Sequence, residues 1–273
     1  MVAFSTREVV DNEKNKKLRR ENIKGFKFLG IILFDDPVRE GVEESLRKAR
    51  KMGINLKVIT GDYKETSWVA MQRAGLVDRN EKIDDLKILT GKDFESLDKD
   101  QIVNRVREAI LFARTSPEQK LMIVEILQEM GEVVGMMGDG VNDAPALKKS
   151  DIGITVNEAS DVAREAADLI LLDDNFQTVI SSIEEGRVII DNIKKVTIFL
   201  LSGSFSMVVL IVGVLLLGWP LPLIPVQILW VNLVAEVLPS LGLTVEPKMI
   251  GVVLKRYRQK EELINLSTFL FLS

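Results

Sequence analysis

With 273 residues the chain has room for one or two domains. Its net charge of −4 gives no footing for nucleic-acid binding. It contains neither cysteine nor histidine, which excludes disulfides, thiolate or imidazole metal sites, and the usual acid–base group of neutral pH.

The 47% apolar content is unevenly spread. Residues 1–195 are charged and mixed, whereas residues 196–243 hold almost no charge. Residues 1–24 include the run Asn12-Glu13-Lys14-Asn15-Lys16-Lys17, which reads as a solvated loop or hairpin, and they lack the apolar core of a signal peptide. Short apolar strands then alternate with amphipathic helices across residues 25–174. The expected strands are Phe28–Phe34, Asn55–Thr60, Ile110–Ala113, Val133–Met137, Ile152–Val156 and Leu169–Leu172. Helical patterns fill Arg39–Lys51, Lys64–Ala74, Phe94–Glu108 and Pro117–Glu129. This alternation predicts a parallel sheet covered on both faces, with ligands at the carboxyl ends of its strands.

From Asn175 to Lys195 runs a mostly polar helical segment, a stalk. Residues 196–219 and 222–243 follow as two uncharged or nearly uncharged stretches, each long enough to cross a hydrocarbon core of ~30 Å, joined by a turn at Pro220-Leu221-Pro222. Lys194 and Lys195 flank one end of the pair, and Lys248, Lys255, Arg256, Arg258 and Lys260 the other. Both ends are thus expected in the cytosol, with a loop over 244–262. Residues 263–273 are apolar but too short to span and read as the truncated start of a further membrane helix.

Chemistry concentrates at Gly138-Asp139-Gly140-Val141-Asn142-Asp143-Ala144-Pro145-Ala146-Leu147. Two carboxylates, an amide and two glycines converge on a strand-to-helix turn, where backbone N–H groups favour anions. Carboxylates there would repel a bare phosphate, so a divalent cation is the natural mediator. Mg²⁺ suits the place because it takes one or two carboxylates and keeps room for water and phosphate oxygens. The plainer reading is that Asp143 caps the helix starting near Ala144. Thr60-Gly61-Asp62 also follows a strand, and its plainer reading is an ordinary turn. Lys120 opens a helix after a third strand and would by default be a surface lysine. Asp36 and Pro37 suit a helix start.

The decapeptide resembles the hinge motif of P-type ATPases, the cation pumps that pass through an aspartyl-phosphate. Other stretches agree in the family's order. Asp36-Pro37-Val38-Arg39 resembles DPPR with a valine for the second proline, and Thr60-Gly61-Asp62 matches TGD. Ser116-Pro117-Glu118-Gln119-Lys120 is similar to the segment with the family's lysine, and Pro225–Leu233 to the sixth membrane helix of calcium pumps. The resemblance implies an α/β haloacid-dehalogenase-like Rossmannoid domain followed by all-α transmembrane helices. It implies Mg²⁺ on Asp139, with Asp143 as a supporting ligand or neighbour, and phosphate contacts from Thr60, Gly61 and Asn142. Asp62 would orient its loop or touch nucleotide. Lys120 would neutralise phosphoryl charge, and Asp36 and Arg39 would help place the nucleotide domain and ATP.

One family motif has no counterpart. The phosphorylated aspartate lies in DKTGT, and Leu97-Asp98-Lys99-Asp100 is the nearest string. The Rossmannoid domain is therefore expected to be incomplete, its first strand missing, with a slot between the strands that carry TGD and GDGVND. The chain is expected to be a C-terminal portion of a pump, inactive alone, with residues 1–24 as a remnant of the nucleotide domain or a linker. A separately encoded N-terminal half is a candidate partner beside the lipid bilayer. Two alternatives stand beside this: a membrane-anchored phosphatase of the haloacid-dehalogenase type, or a non-catalytic product of a truncated gene.

Within the second span, Asn232 and Glu236 share a helix face, and an ionisable group at bilayer depth is costly enough to suggest function. The calcium-pump pattern Asn-Leu-Val-Thr-Asp appears here as Asn232-Leu233-Val234-Ala235-Glu236. In the first span the family's Asn and Glu positions fall on Ser204 and Met207. A thioether cannot supply a hard oxygen ligand. A complete two-site Ca²⁺ pump is therefore not expected, which leaves one Ca²⁺ or Mn²⁺ site, Na⁺, or H⁺.

Overall fold

A computed structural model describes residues 2–6, 25–32, 37–173, 175–247 and 250–253. Asp36, the charged run at 12–22, the basic cluster at 255–260 and the apolar end at 263–272 lie outside the described residues. The chain divides into two units, Met1–Arg39 and Glu40–Ser273.

In the first unit, β1 (Val2–Thr6) pairs antiparallel with β2 (Lys27–Ile32). The stretch expected as the first strand of the parallel sheet thus lies in a two-stranded sheet of its own. Its side chains are exposed on both faces, so the pattern that reads as a buried strand is met here by pairing and not by burial.

The second unit holds two three-stranded parallel sheets instead of one continuous sheet. The first has β3 (Val58–Ile59), β5 (Leu111–Ala113) and β4 (Ile88–Thr90) in that order. The second has β6 (Gly135–Met137), β7 (Ile152–Val156) and β8 (Leu169–Leu171). β3 leads into Thr60-Gly61-Asp62 and β6 into Gly138-Asp139-Gly140, and each is the edge strand of its sheet. Among the described residues neither has a partner on its outer side. Ile59 nevertheless packs against the cores of both sheets, the one around Leu89 and Phe112 and the one around Met136 and Leu147. The sequence-predicted slot between these two strands is therefore matched by the strand order.

Helices cover the sheets: α1 (Val42–Lys51), α2 (Lys64–Arg73), α3 (Asp93–Ser96), α4 (Lys99–Glu108), α5 (Pro117–Glu129), α6 (Ala144–Lys149) and α7 (Asp161–Ala166). The pattern over Phe94–Glu108 is broken into α3 and α4 because Asp98 accepts from the Gln101 amide in a capping box, which starts a new helix. α5 opens the same way, with Ser116 and Gln119 as the box and Pro117 in the first turn. α1 begins at Val42, beyond Gly41, so Pro37 is not in its first turn.

Stalk and first span form one helix, α8 (Phe176–Leu216), of 41 residues. At 1.5 Å per residue it is about 60 Å long, enough to cross a bilayer and still reach the α/β core. Val179 packs with Ile154 and Leu171, and Ile180 with Ala49 of α1 and with Met52, which follows that helix. Lys48 pairs with Glu184 at 2.8 Å, and Arg187 donates to the Met52 carbonyl at 2.8 Å.

The second span runs from Pro225 to Thr244 in three pieces: α9 (Pro225–Trp230), a π-helical stretch Val231–Glu236, and α10 (Val237–Thr244). Pro239 explains the widening. Its ring would strike the Ala235 carbonyl in an α-helix and it offers no N–H, so the preceding turn opens. A short helix, α11 (Ile250–Val253), follows. Both long helices are apolar enough to cross a membrane.

Candidate active site and membrane carboxylate

Three loops meet at the carboxyl ends of the strands. The Thr60–Asp62 loop is tied to the one after β5: Thr115 donates to the Thr60 carbonyl from its amide at 3.1 Å and its hydroxyl at 3.0 Å. The Arg114 amide donates to the Asp62 carbonyl at 3.0 Å. That second loop runs straight into Ser116, the cap of α5, and one turn later places Lys120. Lys120 Nζ lies 2.6 Å from Asp143 Oδ1, with each side chain only 12% exposed. The other Asp143 oxygen accepts from the Gly140 amide at 3.2 Å. Threonine, lysine and aspartate loops thus form one connected rim.

Within the rim the residues divide by accessibility. Thr60 is half-buried, and its hydroxyl accepts from the Asp62 amide at 3.1 Å. Gly61, Asp62, Asp139 and Asn142 are exposed. The Asp139 carbonyl accepts from the Ser160 amide at 3.0 Å, which ties the loop to the start of α7 and leaves the carboxylate outside this bond. Asp143 is engaged on both oxygens, so the free carboxylate of the pair is Asp139. Arg39 is exposed and belongs to the other unit, and Asp36 lies outside the described residues.

The donor set suits Mg²⁺. One accessible carboxylate with a second, ion-paired one beside it matches a cation that takes few protein ligands and fills the rest with water and phosphate. Among the described residues no group of three or more acidic side chains gathers into an all-protein cage.

Sequence reasoning missed the residues that shape the middle loop. Arg114 has a left-handed backbone, φ 56°, uncommon for a non-glycine residue. Its guanidinium stacks on the Tyr63 ring, 4.4 Å from the centroid. Gly91 makes this possible: a Cβ there would lie 2.2 Å from the Arg114 carbonyl oxygen. Gln119 closes the arrangement, donating to the Gly91 carbonyl at 2.9 Å while accepting from the Ser116 amide. The sequence holds no local signal for this: Gly91 follows Ile88-Leu89-Thr90, and nothing in that stretch records that the Arg114 backbone passes beside it.

In the membrane part, Asn232 is exposed and Glu236 half-buried, both on the π-helical stretch; Ser204 is exposed on α8. The second span returns antiparallel along α8. Asn192, buried at 6% exposure, donates to the carbonyls of Thr244 at 3.2 Å and Glu246 at 3.3 Å. Lys195 pairs with Glu246 and, at 3.0 Å, with Asp191. Further along the same pair of helices, Glu236 lies against Gly203.

Comparison with known proteins gives the family. Residues 4–151 match the haloacid dehalogenase-like hydrolase family, and residues 220–272 match the C-terminus of cation transporting ATPases. The chain is 39% identical over 236 residues to calcium-transporting ATPase 1 of Bacillus cereus, covering 86% of this chain and 26% of that protein. It is 40% identical over 260 residues to the endoplasmic reticulum calcium ATPase srcA of Aspergillus fumigatus, covering 95% and 26%. For calcium-transporting ATPase 1 of Lactococcus lactis the identity is 37% over 262 residues, covering 96% and 29%. The chain thus spans about a quarter of the length of the relatives it matches. By these matches the chain belongs to the haloacid dehalogenase-like hydrolases, and along most of its length it is similar to calcium-transporting members of the cation-transporting ATPases.

Proposed function

We propose that this chain supplies the phosphoryl-handling rim and part of the cation path of an ATP-driven pump, and that a partner polypeptide or segment supplies the phosphorylated aspartate. The observation that carries the reading is the connected rim, in which Thr60, Lys120 and Asp143 are held together while Asp139 stays accessible.

Each residue has a distinct task. Thr60 offers its hydroxyl, and Gly61 and Asn142 allow and make close approach to phosphoryl oxygens. Lys120, largely desolvated, places a positive charge where negative charge develops during transfer, the arrangement that lowers phosphoryl-transfer barriers most. Asp143 aims that ammonium through its 2.6 Å contact and fixes the loop through Gly140. Asp139, with Asp143 beside it, would hold Mg²⁺, which when bound neutralises phosphate charge. Asp62, tied through its carbonyl to Arg114, sets the loop's direction, and Arg39 with Asp36 would serve the ATP side.

The transported ion meets Glu236 and Asn232, with Ser204 across the seam. The relatives' printed names favour Ca²⁺; Mn²⁺, Na⁺ and H⁺ are the other ions one carboxylate and few neutral oxygens would serve. Both ends of the helical hairpin, and the α/β domain with them, lie in the cytosol on this reading, in an integral multi-pass assembly. The chain alone carries out no turnover.

Co-reconstitution with a polypeptide that carries DKTGT and a nucleotide domain tests this by ATP-driven uptake of radioactive Ca²⁺ into vesicles. The reading predicts uptake that Asp139→Asn lowers by about 100-fold or more and that Glu236→Gln abolishes. Uptake indifferent to Glu236→Gln would refute it.

A further inference from the structure

Glu236 ends the π-helical stretch, and its side chain is laid directly on α8. A Cβ built on Gly203 would lie 2.5 Å from Glu236 Oε1, 3.0 Å from Cδ and 3.6 Å from Cγ. Non-bonded heavy atoms prefer roughly 3.5–4 Å, so the carboxylate holds this position while residue 203 has no side chain, and a Cβ there would make its flexible end move. The register is fixed elsewhere: Asn192 and Lys195 clamp the cytosolic ends of the same helices through Thr244 and Glu246. An aspartate in this place would be one methylene shorter than Glu236. The extra methylene moves the carboxylate outward by about one C–C bond, ~1.5 Å, and the bare backbone at Gly203 takes up that length.

We propose that Gly203 is a positioning residue for Glu236. Its missing side chain keeps the longer carboxylate in the seam between the two spans and off the lipid. Residues 203 and 236 together set how far the carboxylate oxygens stand from α8, and so the width of the cation site. The inference rests on the reading that Glu236 meets the transported cation, but the seat itself is measurable without any cation.

The experiment uses the full chain in lipid nanodiscs. Dicyclohexylcarbodiimide, a lipid-soluble reagent, adds to carboxyl groups that face the apolar phase, and mass spectrometry reads the fraction modified at residue 236. Gly203→Ala is expected to raise that fraction about fivefold, within the coupling range of residues in contact. Gly203→Ala combined with Glu236→Asp is expected to return it to the wild-type level, because the shorter acid clears the new methyl. If Gly203→Ala prevents folding, restoration of a monodisperse helical chain by Glu236→Asp counts as the same rescue. Wild-type labelling in Gly203→Ala, or no rescue by the shorter acid, overturns the proposal. The measurement is made without cation, so its failure is separate from a failure of Ca²⁺ uptake.

Discussion

Lys57 illustrates how single residues in this domain balance opposing terms. Its ammonium donates to the carbonyls of Val106 at 2.8 Å, Arg107 at 3.1 Å and Ala109 at 2.6 Å, and so caps the C-terminal end of α4. It also sits 5.7 Å from the Phe112 ring centroid. Burial disfavours the charged form and pulls its pKa from 10.5 down to about 8, partly offset by Glu132. Between those two values the unfolded chain keeps a proton that the folded chain has released, so the folded state gains stability as pH rises across that window. The gain is complete above 10.5 and absent below about 8. Melting temperatures of wild type and Lys57→Met, compared at about pH 7 and about pH 10, should shift in the wild type's favour at the higher pH. Parallel behaviour of the two proteins would contradict this account of Lys57.

The residues proposed to handle phosphate stand in sequence motifs. Thr60, Lys120, Asp139 and Asp143 stand in motifs with fixed spacing, and the structure brings three of them into one bonded rim. The sequence suggested Asp143 as a metal ligand or its neighbour, while the structure gives its oxygens to Lys120 and Gly140. Removing either partner of this largely buried pair leaves a charge stranded at a cost of roughly 3 kcal/mol. Arg114, Gly91 and Gly203 were not legible. Their parts are a left-handed turn and two close approaches, and no local pattern records which backbone will pass beside a glycine.

At the level of elements, the split sheet is the feature with the largest physical consequence. In a parallel ladder, successive amides point to alternate sides of a strand. The amides of Val58 and Thr60 bond to the Ile110 and Phe112 carbonyls at 2.8 Å, so that of Ile59 points to the bare side. On β6 the Gly138 amide bonds to the Ile154 carbonyl, so that of Met137 points outward likewise. Long unpaired edges invite association with other chains. Hydrogen exchange should therefore be faster at Ile59 and Met137 than at Thr60 and Gly138. A polypeptide that brings the DKTGT strand should slow the first pair specifically. Equal protection of all four amides in the isolated chain would mean that the slot is closed.

Element existence was easier to read than element context. β4 was missed because three residues, Ile88–Thr90, are too few to show a period. Phe28–Phe34 reads as a strand of the parallel sheet, yet β2 pairs with β1, since strand character says nothing of the partner. The π-helical stretch left no mark on the hydropathy; its one signal was Pro239.

At the scale of the whole molecule, α8 is the mechanical link. Its first turns are packed into the α/β core through Val179 and Ile180, and its second half is apolar enough for a bilayer. The clamp of Asp191, Asn192 and Lys195 on Thr244 and Glu246 lies between those two regions. One continuous helix and this clamp thus join the α/β core to both spans. Length and charge asymmetry made the spans legible, whereas the continuity of stalk and span, and the clamp, depend on side chains that only the folded pair brings together.

The central claim is that this chain carries the phosphoryl-handling rim while the phosphate is carried elsewhere. The most direct measurement is acid-quenched labelling with radioactive ATP, with and without a polypeptide bearing DKTGT. The account predicts no hydroxylamine-sensitive label on this chain in either case, and Mg²⁺-dependent label on the partner only when this chain is present and Asp139 and Lys120 are intact. Acyl-phosphate on this chain alone, or partner labelling that survives Asp139→Asn unchanged, would contradict it.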